Sequence, residues 1–321
     1  MYYLGIDLGG TNIAAGIVDE SYQMIAKKSV PTNAQRAPEA IIADMGQLCL
    51  DLLAEHNLTP ADIECAGIAS PGIADGRTGM VMYANNLPFS KTPICSMLAE
   101  QTGIKRVCLD NDANAAAWGE AVAGAAKGTT NSVMITLGTG VGGGIIIDNK
   151  VYSGFNAAGA ELGHIVIEYE GRPCSCGRKG CWEAYSSATG LINMTREKIE
   201  ECMRTGRPSA MIEMSEGGKT VSGRTSFNAM RAGDEAASEV VDMYIRYLAC
   251  GLINIVNIFQ PEVISLGGGI SNERENLLKP LMPFITAQQY GAGAVPQTDI
   301  RIAQLGNDAG IIGAALLGMQ K

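Results

Sequence analysis

The 321 residues predict an α/β fold of two lobes with a central cleft. Three observations carry that expectation. Strand-like apolar runs alternate with helix-period segments along the chain. A glycine-rich hairpin opens the sequence. A second copy of that hairpin stands near the middle, as a duplicated unit would require.

The first hairpin is YLGIDLGGTNIAAGIVDE, from Tyr3 to Glu20. Tyr3, Leu4, Ile6 and Leu8 form one apolar run; Ile13, Ala15, Ile17 and Val18 form the other. Gly9, Gly10, Thr11 and Asn12 lie between them. Glycines in such a turn leave backbone N–H groups uncovered, so these amides and the Thr11 hydroxyl suit phosphate oxygens. Asp7, at the end of a strand, suits a metal ion. The copy is ITLGTGVGGGIIID, from Ile135 to Asp148, and it lies over Ile6 to Asp19 without a gap. Ile6 meets Ile135, Leu8 meets Leu137, Gly9 meets Gly138, Ile17 meets Ile146 and Asp19 meets Asp148. Gly138, Gly140 and Gly143 also have the dinucleotide spacing GxGxxG. That fingerprint needs a following helix, and the strand-like Gly144 to Asp148 follows instead.

Composition bounds the function. The chain is 46% apolar and 18% charged, ordinary for a soluble α/β protein. A net charge of −9 argues against a nucleic-acid surface. No apolar run reads as a membrane span and no signal peptide precedes the first strand, so a cytoplasmic protein without a membrane partner is expected. Nine cysteines in a chain of this length are not a disulfide framework. Cys49, Cys65, Cys95, Cys108, Cys202 and Cys250 are scattered in apolar surroundings and read as reduced.

In chain order, Met24 to Val30 reads as a third strand, and Glu39 to His56 as an amphipathic helix with Ile41, Ile42, Met45, Leu48, Leu52 and Leu53 at helical spacing. Ile63 to Ala69 is a buried strand, stopped by the Pro71-Gly72 pair. Met80 to Met82 is short and strand-like, and Asn85, Asn86 and Phe89 lie in the loop after it. Pro93 to Gly103 reads as a helix and Arg106 to Leu109 as a strand. Asp110, Asn111 and Asp112 then precede an alanine run. A helix N-cap needs only one of the three. An Asp at this strand–helix edge is a candidate general base for a substrate hydroxyl.

His164, Cys174, Cys176 and Cys181 follow in GHIVIEYEGRPCSCGRKGCWE. A Cys3His set in a reduced chain suits structural zinc. Glu161 and Glu183 bracket this knot, which would draw their carboxylates towards one place. The second ring nitrogen of His164 stays free for a ligand. Met194 to Thr225 is polar and helical in character, Asp234 to Gln260 is one long buried helix stopped by Pro261, and Val263 to Leu266 is a strand. Gly267, Gly268 and Gly269 form a third glycine-rich loop. A helix (277–289), a strand (300–303) and a small-residue helix (309–317) close the chain.

These motifs resemble the ROK family, bacterial sugar kinases and sugar-responsive repressors with the actin-like, hexokinase-type ATPase fold. The resemblance rests on DLGGTN (7–12), ASPG (69–72), DNDANAAAWGE (110–120), LGTGVGGG (137–144), ELGH with CSCGRKGCWE, and LGGG (266–269), in that order. It implies an ATP-dependent hexose kinase, with glucose the first candidate. N-acetylmannosamine, N-acetylglucosamine, fructose and allose are the alternatives, and a non-catalytic sensor or repressor stands behind them. It implies Asp112 as the base on the sugar hydroxyl, usually O6. Asn86, Asn111, Asp112, Glu161, His164 and Glu183 would contact the hexose. Asp7 would hold Mg2+ through water, and Gly9, Gly10, Thr11, Asn12, Gly138, Thr139, Gly267 and Gly268 would line the ATP. Zn2+ would be structural, and a homodimer is implied. Lobe one would run over 1–114 and take back 303–321; lobe two would run over 115–302 with the zinc knot and the dimer surface. Two residues depart from the family pattern. Asp110 stands where Glu is common, and Phe89 stands where many glucokinase-like members carry Trp, in a loop that helps choose the sugar.

Overall fold

The computed structural model describes residues 1–320. The chain opens with β1 (Tyr2–Leu8), β2 (Asn12–Asp19) and β3 (Met24–Pro31), an antiparallel meander. α1 (Pro38–Glu55) follows, with Pro at its first turn, where a missing N–H costs nothing. β4 (Ile63–Ser70) returns parallel to β1. Three short strands, β5 (Ile73–Asp75), β6 (Met80–Tyr83) and β7 (Ser90–Thr92), form a separate small sheet. Then come α2 (Ile94–Thr102), β8 (Val107–Asn111) and α3 (Asp112–Ala123).

The second hairpin is β9 (Ser132–Leu137) and β10 (Val141–Ile147), extended by β11 (Lys150–Val151). α4 (Glu183–Ser186), α5 (Ala188–Thr205), α6 (Ala210–Met214) and α7 (Thr225–Arg231) lead into α8 (Glu235–Phe259). β12 (Val263–Gly267), α9 (Glu275–Gln288), β13 (Asp299–Ile302) and α10 (Ala309–Ala315) complete the chain. The two large sheets have the orders β3-β2-β1-β4-β8 and β11-β10-β9-β12-β13. Each sets a glycine-turned hairpin beside two later strands, so the repeat in the sequence recurs in the topology.

The chain divides into two compact units, residues 1–134, 144–160 and 303–321 in the first and 135–143 and 161–302 in the second. The first break therefore falls after Met134, not after Asn114. α3 stays whole in the first unit because its small residues press against α10: a Cβ built on Gly119 would stand 2.7 Å from the Ala309 carbonyl oxygen. The core of the first unit joins Leu4, Ile6 and Ile13 to Ile41, Met45 and Leu52 of α1 and to Ile94 and Leu98 of α2. In the second unit α8 is long and apolar enough by composition to cross a membrane, contrary to the expectation that no such run exists. It packs instead against α4, α5, α7 and α9, as the core helix of a folded unit.

Candidate active site

The first unit gathers Asp7, the turn 9–12, Asn86 and the β8–α3 junction. In the turn, Gly9 N–H donates to the Asn12 carbonyl at 3.0 Å, while Gly10, Thr11 and Asn12 are exposed. The buried Thr32, at the end of β3, braces this turn. Its hydroxyl donates to the Gly9 carbonyl at 2.6 Å and its N–H to the Thr11 carbonyl at 2.9 Å. Nothing in the sequence marks Thr32. Asn86 leans on the same turn, since a Cβ on Gly10 would lie 3.3 Å from the Asn86 Cβ. Phe89 is only 2% exposed and belongs to the hydrophobic core. It anchors the loop that presents Asn86 and does not itself face solvent.

At the β8–α3 junction the cap falls to Asn111. Its Oδ1 accepts from Ala113 N–H at 2.9 Å and Asn114 N–H at 3.4 Å, and its Nδ2 donates to the Gly72 carbonyl at 3.1 Å. The Asn111 side chain also hydrogen-bonds the Asp112 carboxylate, which ties the cap to the candidate base. Asp110 is internal to the junction, accepting from Asn111 N–H at 2.7 Å and Asn114 Nδ2 at 2.8 Å. Asp112 is spared both duties. Its Oδ1 takes the Ala113 N–H at 2.8 Å and the side chain reaches solvent. The surrounding protein still removes enough water to raise its carboxyl above the ordinary range, which makes it a stronger base. Asp7 is raised first by burial and then by the negative charge of Asp112, so the two carboxylates feel each other. A cation placed there would relieve that repulsion.

The second unit holds the other glycine loops and the Cys3His cluster. Gly138 N–H donates to the Gly140 carbonyl at 3.0 Å, and the loop is tied to the start of α5. Ala188 N–H donates to the Gly138 carbonyl at 2.8 Å, and the Thr189 hydroxyl to the Thr139 carbonyl at 2.8 Å. Gly267 is buried at the end of β12, and Gly268 crosses the same loop. Gly268 has φ +83°, and a Cβ there would stand 2.6 Å from the Leu137 carbonyl. Only glycine fits that crossing. A groove of about 990 Å3 opens beside Thr139, Gly140, Cys174, Glu183 and Thr189.

His164, Cys174, Cys176 and Cys181 present ligand atoms that all lie within 4.8 Å of one another. Cys174 Sγ is 3.6 Å from His164 Nδ1, and Cys176 Sγ is 3.7 Å from Cys181 Sγ. The turn that closes the knot runs from Cys174 to Gly177, whose N–H donates to the Cys174 carbonyl at 3.0 Å. The fully buried Trp182 roots the knot on α8, donating from Nε1 to the Tyr247 carbonyl at 3.1 Å. Glu183 is no free surface charge. Its Oε2 accepts from Val141 N–H at 3.0 Å and its Oε1 from the Ser175 hydroxyl at 3.2 Å, tying the second glycine loop to the knot. Glu161 is exposed one turn before His164.

The ROK family profile matches residues 3–321. A glucokinase from Halalkalibacterium halodurans is 35% identical over 325 residues, covering 100% of this chain and 96% of the relative. Among solved structures, a ROK family glucokinase from Streptomyces griseus in complex with glucose and AMPPNP matches with TM-score 0.79 and 33% identity, covering 100% of both chains. A ROK hexokinase from Thermus thermophilus matches with TM-score 0.80 and 34% identity, covering 99% of this chain and 97% of that one.

Proposed function

The chain belongs to the ROK family, and on that footing we propose that it is an ATP-dependent hexose kinase acting on glucose at O6. The observation that carries this reading is Asp112. It is a solvent-reaching carboxylate of raised pKa, released from capping by Asn111 and set in one unit with Asp7 and the first glycine turn. The full-length likeness to glucokinases supports glucose as the acceptor.

In this reading Asp112 takes the proton from the 6-hydroxyl as that oxygen attacks the γ-phosphorus of ATP, and ADP leaves. Asn86, Asn111, Glu161, His164 Nε2 and Glu183 hold the other hydroxyls. Gly10, Thr11, Asn12 and Thr139 line the phosphate oxygens, Gly9 and Gly138 close the two turns with their own amides and leave room by lacking a Cβ, and Gly267 and Gly268 flank the nucleoside. Positioning and charge neutralisation dominate phosphoryl transfer, so such rigid amide cradles suit it. Asp7 would hold Mg2+, which supplies positive charge against the phosphates when bound.

The four-residue knot fits structural zinc. Zn–S bonds of about 2.3 Å and Zn–N bonds of about 2.0 Å give tetrahedral edges of about 3.8 Å between sulfurs and about 3.5 Å between sulfur and nitrogen. The 3.7 Å and 3.6 Å separations match those edges. The zinc would act as a clamp that orients His164 and Glu183, not as a Lewis acid. We further propose a cytoplasmic homodimer working at the entry to sugar breakdown.

The test is ADP release from Mg-ATP with glucose, mannose, fructose, allose, N-acetylglucosamine and N-acetylmannosamine in parallel. The reading expects the highest kcat/KM for glucose. Preference for an acetylated sugar would overturn the substrate, and binding without turnover on any of them would overturn the activity.

A further inference from the structure

Two cysteines outside the site meet on the sheet whose strand β8 leads into Asp112. Cys65 lies on β4 and is buried; Cys108 lies on the neighbouring β8 and is half-buried. Their sulfurs are 3.4 Å apart, with Cys65 donating its S–H to Cys108. Gly67, not Cys65, stands opposite Cys108 in the parallel register, so the two thiols face each other diagonally across one face of the sheet. The C-terminal turn covers them: a Cβ on Gly318 would stand 2.7 Å from the Cys65 sulfur, and Arg106 Nη2 donates to the Gly318 carbonyl at 2.6 Å. The hydrogen bond from Cys65 and the Arg106 guanidinium both lower the Cys108 thiol, while the same contact and burial raise Cys65. Nothing in the phosphoryl-transfer reading uses either group.

We propose that Cys65 and Cys108 are an oxidisable dithiol that a hydroperoxide closes to a disulfide, with Cys108 attacking and Cys65 resolving. The Cys108 thiolate attacks one peroxide oxygen and the O–O bond breaks. The leaving oxygen takes a proton and departs as water or alcohol, and Cys108 becomes a sulfenic acid. The Cys65 sulfur then displaces the hydroxyl, which leaves as water with the Cys65 proton. The two thiols lose two electrons and two protons in all, and the hydroperoxide gains them.

The diagonal placement gives the bond a consequence. On parallel strands about 4.8 Å apart, an offset of two residues at about 3.3 Å each sets the Cα atoms roughly 8 Å apart, beyond the range of about 4.4–6.8 Å in relaxed disulfides. Closure must therefore draw β8 along β4. The product is strained and easily reduced. β8 ends at Asn111, the cap beside Asp112, so on the kinase reading oxidation misplaces the base.

The test uses the full chain, freed of reductant, exposed to hydrogen peroxide, alkylated, digested and read by mass spectrometry. The expected product is a peptide pair joined through Cys65 and Cys108, abolished by dithiothreitol and by Cys108→Ala. Sugar-phosphorylating turnover should fall with the cross-link by about 100-fold, the scale set by a displacement of about 1 Å. It should return on reduction, with no such reversible loss in Cys108→Ala, and this second readout rests on the kinase reading. Cys108 still alkylated after the exposed Cys250 is oxidised would overturn the dithiol, as would Cys108 stopping at a sulfinic acid or joining Cys95. A cross-link with turnover unchanged would overturn its coupling to Asp112 and leave the kinase reading standing. Because Cys65 is fully buried, Cys108→Ala decides the matter if Cys65→Ala does not fold.

Discussion

Asn111→Ala and Asp112→Asn should part stability from activity at adjoining residues. Asn111 caps α3 through two backbone amides and donates to the Gly72 carbonyl. Loss of an N-cap costs about 1 kcal/mol, and loss of the second hydrogen bond about another 1 kcal/mol. Asn111→Ala should therefore unfold about 2 kcal/mol more easily. Asp112 has the opposite sign. Its carboxyl is raised in the folded protein by burial, so its ionised form opposes folding. A group raised in this way favours the fold at pH below its unfolded value of about 3.9 and loses that contribution as pH climbs through the higher folded value. Asp112→Asn should therefore be as stable as the parent or more so at pH 7, with any gain gone near pH 3. Urea denaturation at both pH values, followed by far-ultraviolet circular dichroism, reads the difference. If Asp112→Asn is weakened as much as Asn111→Ala, or Asn111→Ala is unaffected, the assignment of cap and base is wrong.

The other predictions concern the supporting residues. Phe89→Trp should cost about 1–3 kcal/mol through overpacking of the core and leave the order of sugar preference unchanged; a reordered panel of kcat/KM values would put Phe89 in contact with substrate after all. Cys176→Ser should purify with no more than a trace of zinc by atomic emission, and zinc at one equivalent would break the ligand assignment. Gly268→Ala meets both a left-handed backbone and the Leu137 carbonyl. It should raise KM for ATP while scarcely moving KM for sugar, and equal effects on both would remove the loop from the nucleotide. The rate should fall on the acid side as Asp112 protonates, at a pH above the ordinary aspartate range of about 3.9. An acid limb at or below that range would contradict the burial argument.

Much of this architecture is legible in the sequence because period-2 alternation and glycine turns are local signals. β1, β2, β9 and β10 all fall where the repeat places them. β5 and β7 are three residues each and pair only through β6, so no periodicity can announce them. The choice of cap among Asp110, Asn111 and Asp112 is equally hidden. It depends on Gly72 and Asn114 arriving as partners, one of them from another element. Thr32 is silent for the same reason, since its role exists only once β3 lies beside the first turn. The burial of Phe89 is hidden likewise, since a single aromatic in a loop carries no period and joins the core only once α1 and α2 supply its neighbours.

Asp112 is proposed as the base of a hexose kinase. The most direct measurement pairs ADP release from Mg-ATP and glucose with glucose binding by calorimetry, in the parent protein and in Asp112→Asn. Turnover in Asp112→Asn should fall by about 100- to 10,000-fold, the usual worth of a positioned general base, with glucose affinity held within a few-fold. Turnover retained in Asp112→Asn, or a parent protein that binds glucose and releases no ADP, would contradict it.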